Sequence, residues 1–168
     1  MIRFRFKHPF NEGVVMITVE DVEKTQQAWG EGVVAIAAAH SSGGDYIERA
    51  RVHVETLYAY GISPVLFKPT MAVKEQFRSS FDGALSYFVA ENGACLEDNG
   101  FAIQGWKKVR FENENILIND DTALVMGNYF FTRPDGNELK VEFSFGYILD
   151  STGELRIQLH HSSLPASL

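Results

Sequence analysis

The chain has almost none of the features that cross-link or anchor a small protein. Cys95 is its one cysteine, so no internal disulfide can form. A reactive thiol wants basic neighbours, and Glu97 and Asp98 are acids, so Cys95 reads as buried filler in a reducing compartment. No run approaches the roughly 20 apolar residues that a membrane helix needs. The start, Met1-Ile-Arg-Phe-Arg-Phe-Lys7, has no apolar core of a signal peptide. A cytoplasmic protein without a membrane partner is the expectation. Positive charge is also scarce: 15 Lys and Arg against 22 Asp and Glu leave a net charge of −7. That argues against nucleic acid as a partner. The short basic stretches, Lys107-Lys108 and the alternation Arg3, Arg5, Lys7, read as solvated strand faces. There is no phosphate-binding glycine loop, no dinucleotide fingerprint and no Gly-x-Ser-x-Gly elbow. His8, His40, His53, His160 and His161 do not have the spacing of a zinc site. Neighbours on a regular strand point to opposite faces, so His160 and His161 could not share one ion. Neither metal nor cofactor is expected.

What is present is a core. The apolar fraction is 45%, which excludes disorder, and the 13 phenylalanines suggest an aromatic-lined interior. At 168 residues the chain reads as one domain, with 1–17 as an N-terminal extension or edge strand. Thr18-Val-Glu-Asp21 looks like a capping box, and Val22, Trp29, Val33, Ile36 and Ala37 follow a helical period to about His40. Gly30 and Gly32 weaken that helix and would allow a close backbone approach. Ser41–Asp45 is a turn. A second helix carries Ile47, Ala50, Val54 and Leu57 on one face and stops at Gly61. A short strand is expected over Ile62–Phe67, and a third helix over Phe77–Glu91 with Phe77, Phe81, Leu85 and Phe88 as its stripe.

The second half alternates. Strands are expected over Trp106–Glu112, Ile116–Ile118, Ala123–Thr132, Val141–Leu149 and from Leu155 onward. The turns are Asn113–Asn115, Asn119–Asp121, Arg133–Gly136 and Asp150–Gly153. Helices followed by an antiparallel meander predict an α+β fold, a cone made by a strongly curved antiparallel sheet packed on N-terminal helices. Such a cone encloses a pocket and leaves an outer sheet face through which a homodimer is expected to form.

The last strand, Leu155-Arg-Ile-Gln-Leu-His-His-Ser-Ser163, is where chemistry is expected. Regular alternation puts Leu155, Ile157, Leu159, His161 and Ser163 on the buried face. A buried polar group needs a reason to be there. Thr70, after Pro69 at a strand end, and Tyr87, at the edge of the third helix's apolar stripe, could join His161 and Ser163 in a pocket of hydroxyls. Each also has a plain structural role open to it: turn residue, core-edge aromatic, core histidine, strand-end hydroxyl.

Longer motifs carry a resemblance. Ile157-Gln-Leu-His-His-Ser-Ser-Leu-Pro165 resembles the C-terminal signature of the iota-class carbonic anhydrases. So do Gly100-Phe-Ala-Ile-Gln-Gly-Trp-Lys-Lys-Val-Arg-Phe-Glu112, Ala123-Leu-Val-Met-Gly-Asn-Tyr-Phe-Phe-Thr132 and Phe143-Ser-Phe-Gly-Tyr147. The similarity runs from about Thr18 onward. More distantly, the chain is similar to the association domain of calcium/calmodulin-dependent protein kinase II, of the nuclear-transport-factor-2-like cone fold. The resemblance implies reversible hydration of carbon dioxide to bicarbonate, metal-free, with Thr70, Tyr87 and Ser163 as the polar trio. Phe88, Phe143 and Phe145 would wall a pocket for carbon dioxide, and His161 could accept the proton. Two other classes stay open: a non-catalytic association module, and an isomerase or cyclase of the same fold. The latter needs an inward Asp or Glu, which Glu142 would be if its strand faced the other way.

Overall fold

The computed structural model describes residues 16–91 and 93–167. Apart from Met16 and Ile17, the expected extension or edge strand over 1–17 lies outside them. Helix α1 (Val19–Ser41) starts on the capping box read from the sequence. Thr18 Oγ1 accepts from Asp21 N at 3.2 Å, and Asp21 Oδ2 accepts from Thr18 N at 2.9 Å. Val22, Trp29, Val33, Ile36 and Ala37 are buried as one stripe. The two glycines mark close packing. A Cβ on Gly30 would lie 3.1 Å from Val109 Cβ, and one on Gly32 would lie 2.1 Å from His53 Nδ1. Helix α2 (Tyr46–Leu57), capped by Asp45, packs on α1 through Ala50, His53 and Val54. Ile47, expected inside, is exposed, and His53 is buried in its place.

Three boundaries differ from expectation. Gly61, at φ +82°, turns the chain, so the strand begins late, as β1 (Leu66–Lys68). Helix α3 (Phe81–Val89) starts at Ser80, whose Oγ accepts from Gly83 N at 3.1 Å. Before that cap, Arg78 N donates to Phe67 O at 2.8 Å, which ties the segment to β1 outside the helix and leaves Phe77 74% exposed. The expected turn at Asn113–Asn115 is a β-bulge within one strand, β2 (Lys108–Asn119).

With β3 (Thr122–Thr132), β4 (Glu138–Leu149) and β5 (Leu155–Ser163), the sheet order is β1-β5-β4-β3-β2. The four long strands form the expected antiparallel meander. β1 adds to β5 in parallel, so the sheet is mixed. The curved sheet is open and packs its inner face on the helices. Val125, Tyr129, Phe131, Val141, Phe143, Phe145 and Tyr147 supply that face. Trp29 sits at its centre, with ring centroids of Phe111, Phe131 and Phe145 at 6.1, 6.2 and 6.1 Å. Edge-on aromatic pairs of this kind add to simple area burial.

The β2 bulge also ties sheet to helix. Asn113 faces Gln26 of α1, and the two amides bond reciprocally at 2.8 and 2.9 Å. The bulge brings Glu112 O so close to Gly127 that a Cβ there would lie 2.2 Å away. That neighbour is backbone and cannot swing aside. Gly127→Ala is therefore expected to destabilise the fold by about 2–3 kcal/mol, in the range of overpacking. Urea unfolding would register this as a lower midpoint with an unchanged slope.

Candidate active site

β5 carries one more residue than its partner. Tyr147 pairs with Ile157 and Gly146 with Leu159, so Gln158 is extra. A bulge reverses the alternation beyond it. Leu155 and Ile157 face inward, as expected, but after Gln158 the inward residues are His160 and Ser162, both buried. His161 is exposed on the outer face. Ser163 also turns outward, and its Oγ donates to Glu142 Oε2 at 3.2 Å. The expected inward placement of His161 and Ser163 is thus corrected by one position. A signal was available: a glycine inside a strand often marks a bulge. Gly146 is that residue, and a Cβ on it would lie 3.0 Å from Leu159 Cβ. Glu142, pairing with Ser163, is exposed and supplies no inward base.

Between sheet and helices lies a cavity of about 660 Å³. Its deep end holds hydroxyls. Thr70, just after β1, donates from Oγ1 to Ser162 Oγ at 2.8 Å, because β1 runs parallel beside β5. Tyr87 of α3 enters from the opposite side, and its oxygen accepts from Met71 N at 3.4 Å. Tyr129 of β3 is the fourth hydroxyl and escaped the sequence reading, since it looked like one more aromatic of an alternating strand. Burial raises its pKa strongly, and the hydroxyls of Ser162 and Thr70 beside it oppose that rise. Burial likewise pushes Tyr87 up to about 12. Both phenols therefore keep their protons near neutral pH and can donate hydrogen bonds. The rest of the wall is largely apolar, including Phe101, Trp106, Phe131, Leu139 and Val141. Phe101 stacks on Tyr87 with centroids 5.6 Å apart.

Of the expected walls, Phe88 lines the cavity. Phe143 and Phe145 lie on the inner face but are packed behind it. Phe145 meets the edge of the His160 ring at 4.2 Å, and Phe143 packs on Tyr129 at 5.2 Å. His160 is held between polar partners: Tyr58 Oη lies 2.8 Å from its Nδ1 and Tyr129 Oη 3.3 Å from its Nε2. Burial drives its pKa well below the ordinary value, helped by His161 and His53 nearby. It is a neutral imidazole. Among the described residues, no three His, Cys, Asp or Glu side chains gather where they could hold a metal ion.

The cavity mouth is shaped by an ionic clamp. Arg78 is 1% exposed and forms a bidentate pair with Asp98 at 3.0 and 2.7 Å. Beside it, the Glu97 carboxylate accepts from the backbone N–H groups of Val73, Lys74 and Glu75 at 2.8–3.3 Å. These bonds, that from Lys74 foremost, hold its pKa below the usual range. The loop carrying Thr70 is thereby fastened at both ends, by β1 pairing and by this clamp.

The model of the metal-independent carbonic anhydrase family matches residues 20–164. A metal-independent carbonic anhydrase of Nostoc sp. is 41% identical over 152 residues, covering 89% of this chain and 74% of that protein. The crystal structure of a cyanobacterial iota-carbonic anhydrase complexed with bicarbonate superposes with a TM-score of 0.90. It shares 38% identity and covers 97% of this chain and 100% of that one. A calcium/calmodulin-dependent protein kinase II association domain of Xanthomonas campestris matches with a TM-score of 0.61 at 18% identity, over 90% of this chain and 91% of that one. The last likeness is one of fold alone.

The two buried histidines give stability a distinct pH dependence. Burial holds His53 down to about 3, against an ordinary 6.5, and His160 well below 6.5. Unfolding frees both to take up protons as the pH drops below 6.5. Their contribution is complete above that value and is lost as the pH falls toward the folded-state values. The slope approaches about 1.4 kcal/mol per pH unit for each histidine. Urea midpoints taken between about pH 6.5 and 5 isolate the effect, because carboxylates remain charged there. His53→Leu is expected to halve the slope.

Proposed function

The chain belongs to the metal-independent carbonic anhydrase family, and from that premise we propose how its own residues carry the reversible hydration of carbon dioxide to bicarbonate. The reaction sits at the deep end of the cavity, with Thr70, Tyr87, Ser162 and Tyr129 as its polar groups. The observation that carries this reading is the cluster of protonated hydroxyls at the closed end of an aromatic chamber, centred on the 2.8 Å contact of Thr70 with Ser162. Carbon dioxide is small and apolar, so the walls around Phe88, Phe101 and Phe131 suit it. Hydroxyls can hold a water against its carbon. As the new C–O bond forms, negative charge grows on the carbon dioxide oxygens, where the same hydroxyls donate to it. The product is an anion with three oxygens, which a nest of donors retains until it leaves. The proton passes to water at the mouth. The whole chain, 1–168, acts as one catalytic domain in this account. A cytoplasmic setting fits the lone Cys95, a buried thiol whose pKa burial raises. Among the described residues no helix is long and apolar enough to cross a membrane.

The alternatives are less favoured. An isomerase or cyclase would want a free carboxylate base in the cavity; Glu142 faces out, and Glu97 and Asp98, which line the cavity, are engaged by the Lys74 backbone N–H and by Arg78. A purely associating module has no need of the buried hydroxyls.

We also propose a homodimer through the outer sheet face. Leu124 and Met126 are 46% and 64% exposed there, and Leu159 packs beside Leu124 over the gap left by Gly146. Adjacent apolar side chains on a solvent face favour a partner surface. Sedimentation velocity is expected to give a dimer for the wild type and a monomer for Met126→Glu.

Hydration is measured by stopped-flow pH change in excess chelator. The expected outcome is activity that survives chelation, falls at least about 100-fold in Ser162→Ala and changes less than about twofold in Ser163→Ala. Full activity in Ser162→Ala, or loss only in Ser163→Ala, would sink this assignment of the site.

A further inference from the structure

We propose that Trp29 and Tyr58 are positioning residues that fix His160 as the Nε2–H tautomer and so aim a chain of hydrogen-bond donors into the pocket. The inference rests on the hydration reading above and deepens it. It begins with a group that can only donate. The indole Nε1–H of Trp29 points at Tyr58 Oη, 3.1 Å away, and has no lone pair to offer back. Trp29 is 1% exposed and Tyr58 is 0% exposed, so water is not an alternative partner for either.

The other neighbour of the Tyr58 oxygen is His160 Nδ1, at 2.8 Å. Among the described residues these two are its hydrogen-bond partners. Suppose Nδ1 carried the ring proton. Tyr58 would then receive two hydrogen bonds and its own O–H would have no acceptor, a costly state for a buried group. With Nδ1 bare, the Tyr58 O–H donates to it and every group is satisfied. A doubly protonated ring is disfavoured by the same burial that keeps His160 neutral. The ring proton therefore sits on Nε2 and points at Tyr129 Oη, 3.3 Å away. Tyr129 accepts it, which leaves the Tyr129 O–H to donate into the cavity that Tyr129 lines together with Ser162 and Thr70.

The order Trp29, Tyr58, His160, Tyr129 runs one way. After Trp29, which only donates, each member accepts a hydrogen bond from behind and offers one ahead. A one-way chain of donors polarises its members. The last hydroxyl presents a donor to the cavity, which suits an anionic oxygen on bicarbonate or on the developing transition state. The lone pair of His160 faces Tyr58, away from the cavity, so His160 does not take the proton from the attacking water. Trp29 lines the cavity, but its N–H is spent on Tyr58, so both residues act through His160.

The test is direct. Long-range proton–nitrogen NMR on protein labelled at histidine nitrogens reads which ring nitrogen of His160 is protonated. The expected wild-type result near neutral pH is a protonated Nε2 and a bare Nδ1. Tyr58→Phe keeps the ring that packs on Phe67 and Tyr60 and removes one oxygen. In it the Nδ1–H form is expected to appear. kcat should fall about tenfold, the rate equivalent of one hydrogen bond, with KM within about twofold. A merely structural role would lower the melting temperature without changing the tautomer. A wild-type Nδ1–H tautomer would overturn the proposal, and so would an unchanged kcat in Tyr58→Phe. The wild-type spectrum stands even where that variant does not fold. A correct tautomer in a wild-type protein without hydration activity would instead count against the hydration reading and leave the donor order intact.

Discussion

Most of the polar character of this cone's interior depends on one extra residue. Gln158 has no partner across β4, and beyond it β5 presents His160 and Ser162 to the interior. Without that shift the inward positions would be Leu159, His161 and Ser163. The surroundings are consistent with the shift at each level. Gly146 clears space for Leu159 on the outer face, Phe67 stacks on the His160 ring at 4.7 Å, and Thr70 meets Ser162. β1 is three residues long and contributes little sheet area. Its parallel pairing with the end of β5 is what brings the Thr70 hydroxyl to the site.

The polar interior is fully partnered where it matters and expensive where it is not. Among the described residues, the buried side-chain atoms without a partner are His53 Nε2, Arg78 Nε and Tyr147 Oη. None belongs to the set running from Trp29 to Ser162. Arg78 compensates through its paired nitrogens, because a buried guanidinium with Asp98 and Glu97 removed would carry an isolated charge. That ion pair holds a loop of irregular backbone over an apolar chamber, a place where hydrophobic packing alone has little to grip.

The parts of the fold that were legible in the sequence are those governed by local rules. The capping box at Thr18, the stripe from Val22 to Ala37 and the meander followed from spacing and turn chemistry. Thr70, Tyr87 and Phe88, which line the cavity, stood out through a motif or an edge position. What escaped depended on partners distant in the chain. The parallel seating of β1 is invisible locally. Phe77 looked like helix stripe, yet the backbone of Arg78 is engaged by Phe67. Both bulges were missed for one reason: an extra residue changes nothing in composition and everything in parity. Tyr129 was hidden by its neighbours, since the phenol of an aromatic strand residue carries no pattern of its own. It matters only because His160 arrives opposite it.

The doubled motif His160-His161-Ser162-Ser163 gains a further meaning from the bulge. In a strand, a slip of one residue exchanges the two faces. Loss of one residue upstream in β5, with the bulge kept, would put His161 and Ser163 in the places of His160 and Ser162. Gain of a residue would put Leu159 and His161 there instead. The repeated pairs therefore make this end of the strand tolerant of a single-residue deletion and intolerant of an insertion.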